Sequence, residues 1–460
     1  MKLRGGRRTL VILGILATLF ILLKPPIDPD LGWHLRLGEF ILDRGQFPWQ
    51  DTFSYTMTGH RVADFYWLSE VVMVFLRRTV GYFGLSLVCA FVAALAVGFS
   101  SNFDPFVSFL VTLWLIPSTG VRPFNFGLLF FSSLWLLLRR RKFCWLPLLF
   151  LIWANFYANF VFGLILTFLF FGLEALRKRK LSLKTATIPL LSVVATLVNP
   201  YGTFLWQTLL AEANSLLMRN TIAEWLPPNP HTDFGLFFFI FLFFIAFLVI
   251  MRSKKLNITE VGLIATFALM GIFSLYYIPL FAIVVGPFLL RELKSLAHLP
   301  IFNDQMRWGI KIYASAFLAV FALIVGPFVQ VPKVWSQSRD PKVLAEAGEY
   351  PYEAVEFLRE NPQKGNIFND YVWGGYLIWQ LPSVKTFIDG RMPAWREGDK
   401  YIFEDYLTVM RLKPGWEEVL EKYEISYFLI HRDSALAQAL KVHPAWKIIY
   451  EDELAVIFAK

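Results

Sequence analysis

Asp28-Pro29-Asp30-Leu31-Gly32-Trp33-His34, running on through Leu35 to Arg44, is the stretch on which the fold of this chain turns. Upstream lie a basic leader, Lys2 to Arg8, and an apolar run, Thr9 to Leu23. That order resembles a signal peptide, but the run ends in Lys24-Pro25-Pro26 with no small-residue cleavage site and many apolar runs follow. It therefore reads as a retained first membrane helix. Two carboxylates at i and i+2 just beyond such a helix are expensive to hold beside a membrane without a role. They suit deprotonation of an acceptor hydroxyl or ligation of a divalent cation. The structural alternative is a solvated loop in which Asp30 caps the next helix.

Outward from this stretch, the 460 residues are 56% hydrophobic and only 17% charged, with Phe alone at 47, a balance far from that of a soluble globular chain. The formal net charge of +9 arises from short basic clusters between apolar runs, not from an extended basic face, so nucleic acid is not an expected partner. Cys89 and Cys144 fall on different apolar segments with no CxxC or Cys/His cluster, which excludes a disulfide framework or a zinc site of that kind. GxxxxGK[ST], GxSxG, HExxH and the Rossmann glycine string are all missing, which argues against an ATP-driven pump or serine hydrolase.

With Pro, Gly and charge as punctuation, spans are expected near 9–24, 82–99, 105–118, 124–138, 143–157, 159–176, 185–198, 235–251, 259–275, 277–291 and 309–328. The fold class expected is a polytopic α-helical membrane protein with about eleven transmembrane helices and a C-terminal soluble α/β domain. A cytoplasmic N-terminus puts Arg139 to Lys142, Arg177 to Lys180, Arg252 to Lys255, Arg291 to Lys294 and Arg307 to Lys311 all inside. The long segments 25–82 and 199–234 and the C-terminal domain then lie outside. Connections of that length are usually functional. Expected domains are thus a membrane domain over 1–331, with its long first outer loop at 25–82, and an extracytoplasmic domain over 332–460. Within the loop, Leu35 to Arg44 and Tyr66 to Arg78 look like helices lying at the interface. Beyond Pro332, helices are expected near 352–360, 399–411, 414–422 and 434–442, and strands near 366–369, 385–388, 426–430, 447–451 and 454–459.

Further candidate residues follow the same logic. His34, one turn after Asp30, can share its face, although a lone interfacial His is more often structural. Arg61, Asp64 and Glu70 flank the start of the second interfacial helix, where simple surface charge is the alternative. Arg122, before Pro123 on the outer side, suits a lipid-linked phosphate or a snorkelling anchor equally. Asn155 and Asn159 line a polar cavity or bond helices together. Glu224-Trp225 pairs a carboxylate with an aromatic plate, as sugar sites do. In the C-terminal region, Asp370, Tyr371 and Trp373 follow one expected strand and Asp389 and Arg391 follow another, the position at which α/β units place ligand contacts. Turn chemistry is the alternative there.

Together, Asp28-Pro29-Asp30 after a first helix, a long loop with two interfacial helices, and Tyr66-Trp67-Leu68 opening the second resemble the GT-C superfamily of membrane glycosyltransferases. The strings Asp28 to Gly38, Arg122-Pro123, Trp153-Ala154-Asn155, Asn199-Pro200-Tyr201-Gly202, Glu224-Trp225, Asn369 to Trp379 and Phe387 to Arg391 look like a bacterial branch of it. The resemblance implies an enzyme that moves a sugar from a polyprenyl-phosphate donor to a glycan, lipid or protein acceptor at the outer face of the cell membrane. It implies a catalytic carboxylate at Asp30 or Asp28, a metal on those same residues if one is used, and outer cations on the donor phosphate. Asn369 to Tyr376 is loosely similar to the Trp-Asp-Tyr-Gly region of oligosaccharyltransferases but lacks the leading paired Trp. Arg61 stands nearest to the phosphate-binding Lys of aminoarabinose-transferase relatives, and the His that follows Asn in the closer branch has no counterpart after Asn155. A non-catalytic scaffold or glycan-binding partner in cell-envelope polysaccharide assembly is the alternative function.

Overall fold

The apolar runs bounded by proline, glycine and basic clusters are helical in the computed structural model of the chain, which describes residues 2–179, 183–252, 256–296, 317–318, 320–398 and 400–460. Trp67–Ser101, Phe160–Lys178, Asp233–Met251 and Leu275–Ser295 are long and apolar enough to cross a bilayer. Arg8–Leu22, Pro105–Ser118, Phe124–Arg139, Phe143–Phe156, Ala186–Ala195 and Ile258–Phe273 are shorter apolar helices. Asp233–Met251 shows why: it is apolar all round, and Phe237, Phe243, Phe247 and Ile250 stay more than half exposed, as side chains facing lipid would. Polar caps end these runs, with Asp104, Thr232 and Asn257 each accepting a backbone N–H of the first turn. The expected cluster Arg307 to Lys311 and the start of the expected span 309–328 lie outside the described residues.

Contacts divide the chain into two units. One comprises Met1–Lys24, Gly84–Asn199 and Arg219–Trp335; the other comprises Pro25–Phe83, Pro200–Met218 and Ser336–Lys460. In the first unit the basic clusters are gathered on shared acids. Glu174 takes Arg141, Arg177 and Lys178 at 2.9, 2.9 and 3.3 Å, and Glu292 takes Arg252 and Arg291 at 2.8 Å each.

The second unit is built from segments far apart in sequence. Its strands are β1 (Asn366–Asn369), β2 (Arg396–Glu397), β3 (Lys400–Tyr401), β4 (Ile425–His431), β5 (Lys447–Glu451) and β6 (Ala455–Ala459). The main sheet runs β1-β4-β6-β5, with β1 parallel to β4 and the other pairs antiparallel, and β2 and β3 form a separate ladder. A parallel pair needs a long crossover, and here it carries the helices Gly374–Gln380, Ile402–Met410 and Trp416–Lys422. Ile367, Trp373, Tyr427, Leu429 and Ile457 meet in the core beneath helix Tyr352–Glu360.

Two sequence expectations change here. Residues 385–388 do not join the sheet; Thr386 instead bridges in parallel to Ser54, with Thr386 N–H donating to the Phe53 carbonyl and Tyr55 N–H to the Thr386 carbonyl. The extended backbone was legible, but its partner lies in segment 25–83. Ahead of the first helix expected beyond Pro332, the structure adds the helix Pro341–Ala347, capped by Asp340.

Candidate functional site

Helix Leu31–Arg44 begins directly after Asp30, which occupies the capping position without using its side chain to cap. Asp30 Oδ1 instead accepts the indole N–H of Trp33 at 2.9 Å, and the Asp30 amide donates to Asp28 Oδ1 at 3.0 Å. The carboxylate is half-buried, and Gly390 comes so close that a Cβ there would overlap Asp30 Oδ1. Gly32 and Gly375 permit a second close approach, since a Cβ on Gly32 would strike the Gly375 carbonyl. The acidic string and both glycine-bearing turns, 374–375 and 390, thus belong to one packed assembly inside the second unit. Arg36 fastens the same helix, donating to the carbonyls of Ile378 and Trp379 at 3.3 and 2.9 Å.

A buried polar layer lies on the same helix. His34 Nδ1 is 2.7 Å from Glu70 Oε1, and the His34 ring packs against Trp33 and edge-on to Tyr66. Asp64 Oδ1 accepts the Tyr66 N–H at 2.9 Å. Burial raises the Asp64 carboxyl above its ordinary value, opposed by hydrogen bonds from Glu70 and the Tyr66 amide and by the charge of Arg391. Arg391 sits between Asp389 and Asp51 at 2.6 and 2.9 Å, with the Phe53 and Trp395 rings 4.9 and 5.1 Å from its guanidinium. Burial alone would weaken its charge, but the two carboxylates raise Arg391 above its ordinary value and keep it cationic. Asp51 also accepts the Ser54 hydroxyl at 2.6 Å, so this Asp-Arg-Asp bridge ties the turn at 389–391 to the turn at 51–54.

The other C-terminal candidates are committed to the fold. Asn369 donates to the Asp370 and Ile388 carbonyls and accepts the Phe387 N–H, joining the two turns. Asp370 Oδ2 lies 2.6 Å from His431 Nδ1 while Oδ1 accepts the Val372 amide. Trp373 is fully buried, donates to the Glu349 carbonyl at 3.0 Å and stacks on His431. Tyr371 donates its amide to the Tyr406 hydroxyl. A cleft nearby is lined by Asp28, Tyr82, Tyr350, Tyr376, Trp379 and Gln380 among others, but not by Trp373 or Asp389. Arg61 is exposed, its guanidinium 4.6 Å from the Phe204 ring centroid.

In the first unit, Arg122 pairs with Glu224 at 2.8 Å, and Trp225 stacks on Tyr276 with ring centroids 4.9 Å apart. Asn155 donates to the Leu151 and Val198 carbonyls, the helix-joining role, and Asn159 Oδ1 accepts the Trp153 indole N–H at 2.8 Å. Among the described residues no group of three or more His, Cys, Asp or Glu is arranged to hold a metal ion. One carboxylate oxygen of Asp28 accepts the Asp30 amide, and one of Asp30 accepts the Trp33 indole. Trp33, Asp51, Asn369 and His431 were missed as site-shaping residues. Asp51 and its partner Arg391 lie too far apart along the chain for spacing to reveal the pair.

No family model and no curated protein sequence matches the chain. Solved structures do. The Archaeoglobus fulgidus oligosaccharyltransferase in its apo form is similar at 12% identity with a TM-score of 0.56, over 92% of this chain and 69% of that one. The oligosaccharyltransferase AglB of the same organism, in complex with an inhibitory peptide and a dolichol-phosphate, gives 10% identity and a TM-score of 0.53 over 94% and 70%. ArnT from Cupriavidus metallidurans, bound to undecaprenyl phosphate, gives 13% and 0.48 over 99% and 98%. The fold is that of the GT-C membrane glycosyltransferases.

Proposed function

We propose that the chain is a glycosyltransferase that takes a sugar from a polyprenyl-phosphate donor and passes it to a hydroxyl-bearing acceptor on the outer face of the membrane. The observation that carries this is the half-buried Asp30 carboxylate, oriented by the Trp33 indole at the start of its helix and overhung by Gly390, in a chain of GT-C fold. Asp30 takes the acceptor O–H proton as the acceptor oxygen bonds to the anomeric carbon. The bond from that carbon to the phosphate oxygen breaks, and its electron pair leaves with the polyprenyl phosphate. Asp28 holds the Asp30 backbone in place. Arg61, exposed in the same unit, offers a planar cation to the departing phosphate. The shared use of Glu174 and Glu292 by clusters from different loops supports placing those clusters on one side, with the N-terminus cytoplasmic and Lys460 outside.

The test uses the full chain in lipid nanodiscs, given lipid-linked sugars extracted from host membranes, with release of free polyprenyl phosphate read by mass spectrometry. Asp30→Asn should lower release by about 100-fold or more. Wild-type release by both Asp30→Asn and Asp28→Asn would remove the enzyme reading.

A further inference from the structure

Beside the Asp30 turn, the second unit holds a half-open cleft to which the steps above give no task. Pro29 and Leu31, the chain neighbours of Asp30, both line it. Gly375 lets its walls meet, because the Pro29 carbonyl stands where a Cβ would be and so packs directly on helix Gly374–Gln380. That helix brings Tyr376, Trp379 and Gln380, spaced i, i+3 and i+4, to the cleft on one face. Tyr350 stacks on Tyr376 and donates its hydroxyl to the Ile27 carbonyl at 2.7 Å, which fixes the segment leading into Asp28.

The lining excludes most kinds of occupant. Asp28 is the one charged side chain among the described residues that line the cleft, so a phosphate or carboxylate would meet repulsion and no cation. An ammonium group needs open ring faces as well as an acid. Here Tyr350 and Tyr376 cover one another, with centroids 4.7 Å apart and planes 7° from parallel, and Arg36 and Arg77 each sit 4.8 Å from the Trp379 ring centroid. Both guanidiniums are paired with Glu39, and their charge over the indole opposes a second cation. A hydrocarbon tail fits no better. Among the described residues, no hydrogen-bond partner takes up the Tyr376 hydroxyl or the Gln380 side-chain amide, and a tail laid over them would strand both without water. A neutral molecule rich in hydroxyl groups meets none of these penalties.

We propose that this cleft binds the end of a neutral carbohydrate chain, and that this chain is the acceptor. The Asp28 carboxylate, which has acceptor sites beyond the one given to the Asp30 amide, takes hydrogen bonds from sugar hydroxyls. The Tyr376 hydroxyl and the Gln380 amide each donate and accept, as a hydroxyl-bearing ligand requires. Tyr82 and Trp379 supply the apolar part of the wall for the C–H groups of the ring. A half-open cleft suits a chain end whose remainder continues outside. Held there, the acceptor lies against the turn that carries Asp30. Its role as acceptor rests on the transferase reading; occupancy of the cleft by sugar does not.

The experiment therefore has two readouts on the full chain in nanodiscs at pH 7. Saturation-transfer NMR reads binding of short neutral oligosaccharides of glucose, galactose, mannose and N-acetylglucosamine, with the uronic-acid counterparts of the hexoses beside them. At least one neutral probe should bind, and an acidic counterpart should bind at least about tenfold more weakly, a gap that narrows in Asp28→Asn. Tyr376→Phe, which removes a hydroxyl and keeps the ring, and Gln380→Leu should each weaken neutral binding by about 3- to 10-fold. Asp30→Asn should leave it within about twofold, since that carboxylate does not line the cleft. Binding of no neutral probe, tighter binding of the acidic ones, or binding indifferent to both Tyr376→Phe and Gln380→Leu overturns the cleft as a sugar site whatever the enzyme does. In the polyprenyl-phosphate release assay, with the sugar that binds as acceptor, the same two variants should raise the acceptor KM by the factor seen in binding and keep kcat within about twofold. Weakened binding with an unchanged KM overturns the acceptor role and leaves the transferase intact. Full activity of Asp30→Asn sinks the transferase reading, and the binding data still decide the cleft.

Discussion

Asp30-Leu31-Gly32-Trp33 and Asp370-Tyr371-Val372-Trp373 have the same spacing, an acid three residues before a tryptophan at the start of a helical turn, and the fold puts them to opposite uses. In the first, the Trp33 indole turns back onto Asp30 and leaves the carboxylate half-buried. In the second, the indole reaches the Glu349 carbonyl and the acid is spent on His431 and on the Val372 amide. The difference comes from depth. Trp373 is in the core under the sheet, where every polar group must find a fixed partner, whereas Asp30 stays partly exposed. A motif of acid and aromatic thus leaves its carboxylate partly exposed or commits it to the core according to what the tertiary structure packs beside it.

The comparison breaks most sharply at the two acids. Asp30→Asn should abolish release of polyprenyl phosphate with little change in melting temperature. Asp370→Asn should keep the chemistry of whatever protein folds but cost about 1 kcal/mol of stability through the partly buried His431 contact. If Asp370→Asn kills activity in a fully folded protein, the assignment of that turn to the fold fails.

At the tryptophans the order reverses. Trp373→Ala should cost about 3–5 kcal/mol and show first as lost folded yield. Trp33→Phe keeps the ring mass and should leave thermal stability near wild type while lowering kcat, because Asp30 loses its fixed donor. Chemical denaturation paired with single-turnover kinetics separates the two.

A smaller effect should appear in the pH dependence of stability. Burial raises Asp64, so the native state keeps a proton that the unfolded chain has already released. Its contribution is therefore fully present below the ordinary carboxylate pKa and is lost as pH rises through the raised value. Melting curves from acid to neutral pH should show that slope in the wild type and a flatter one in Asp64→Asn. The smallest change is expected at Arg122–Glu224, a partly exposed pair, where Glu224→Ala should move stability by less than about 1 kcal/mol.

The sequence by itself determined the helical runs, because an apolar stretch bounded by Pro, Gly and basic residues has few other ways to satisfy its backbone beside lipid. It also located β1, β4, β5, β6 and the helices between them to within a few residues, since alternation and amphipathic period are local properties. Asp30 drew the proposal made above for a local reason too: a carboxylate beside a membrane helix is conspicuous wherever it is folded. What only the tertiary structure decided is which segments share a unit and which polar groups are spent. Residues 25–83, 200–218 and 336–460 pack together although the expected boundary fell at residue 331. Thr386 found Ser54, Arg391 found Asp51, and Glu70 found His34. Those pairings depend on close backbone approach at Gly32, Gly375 and Gly390 and on burial that leaves each charge no water to turn to, and neither is written in the spacing of residues along the chain.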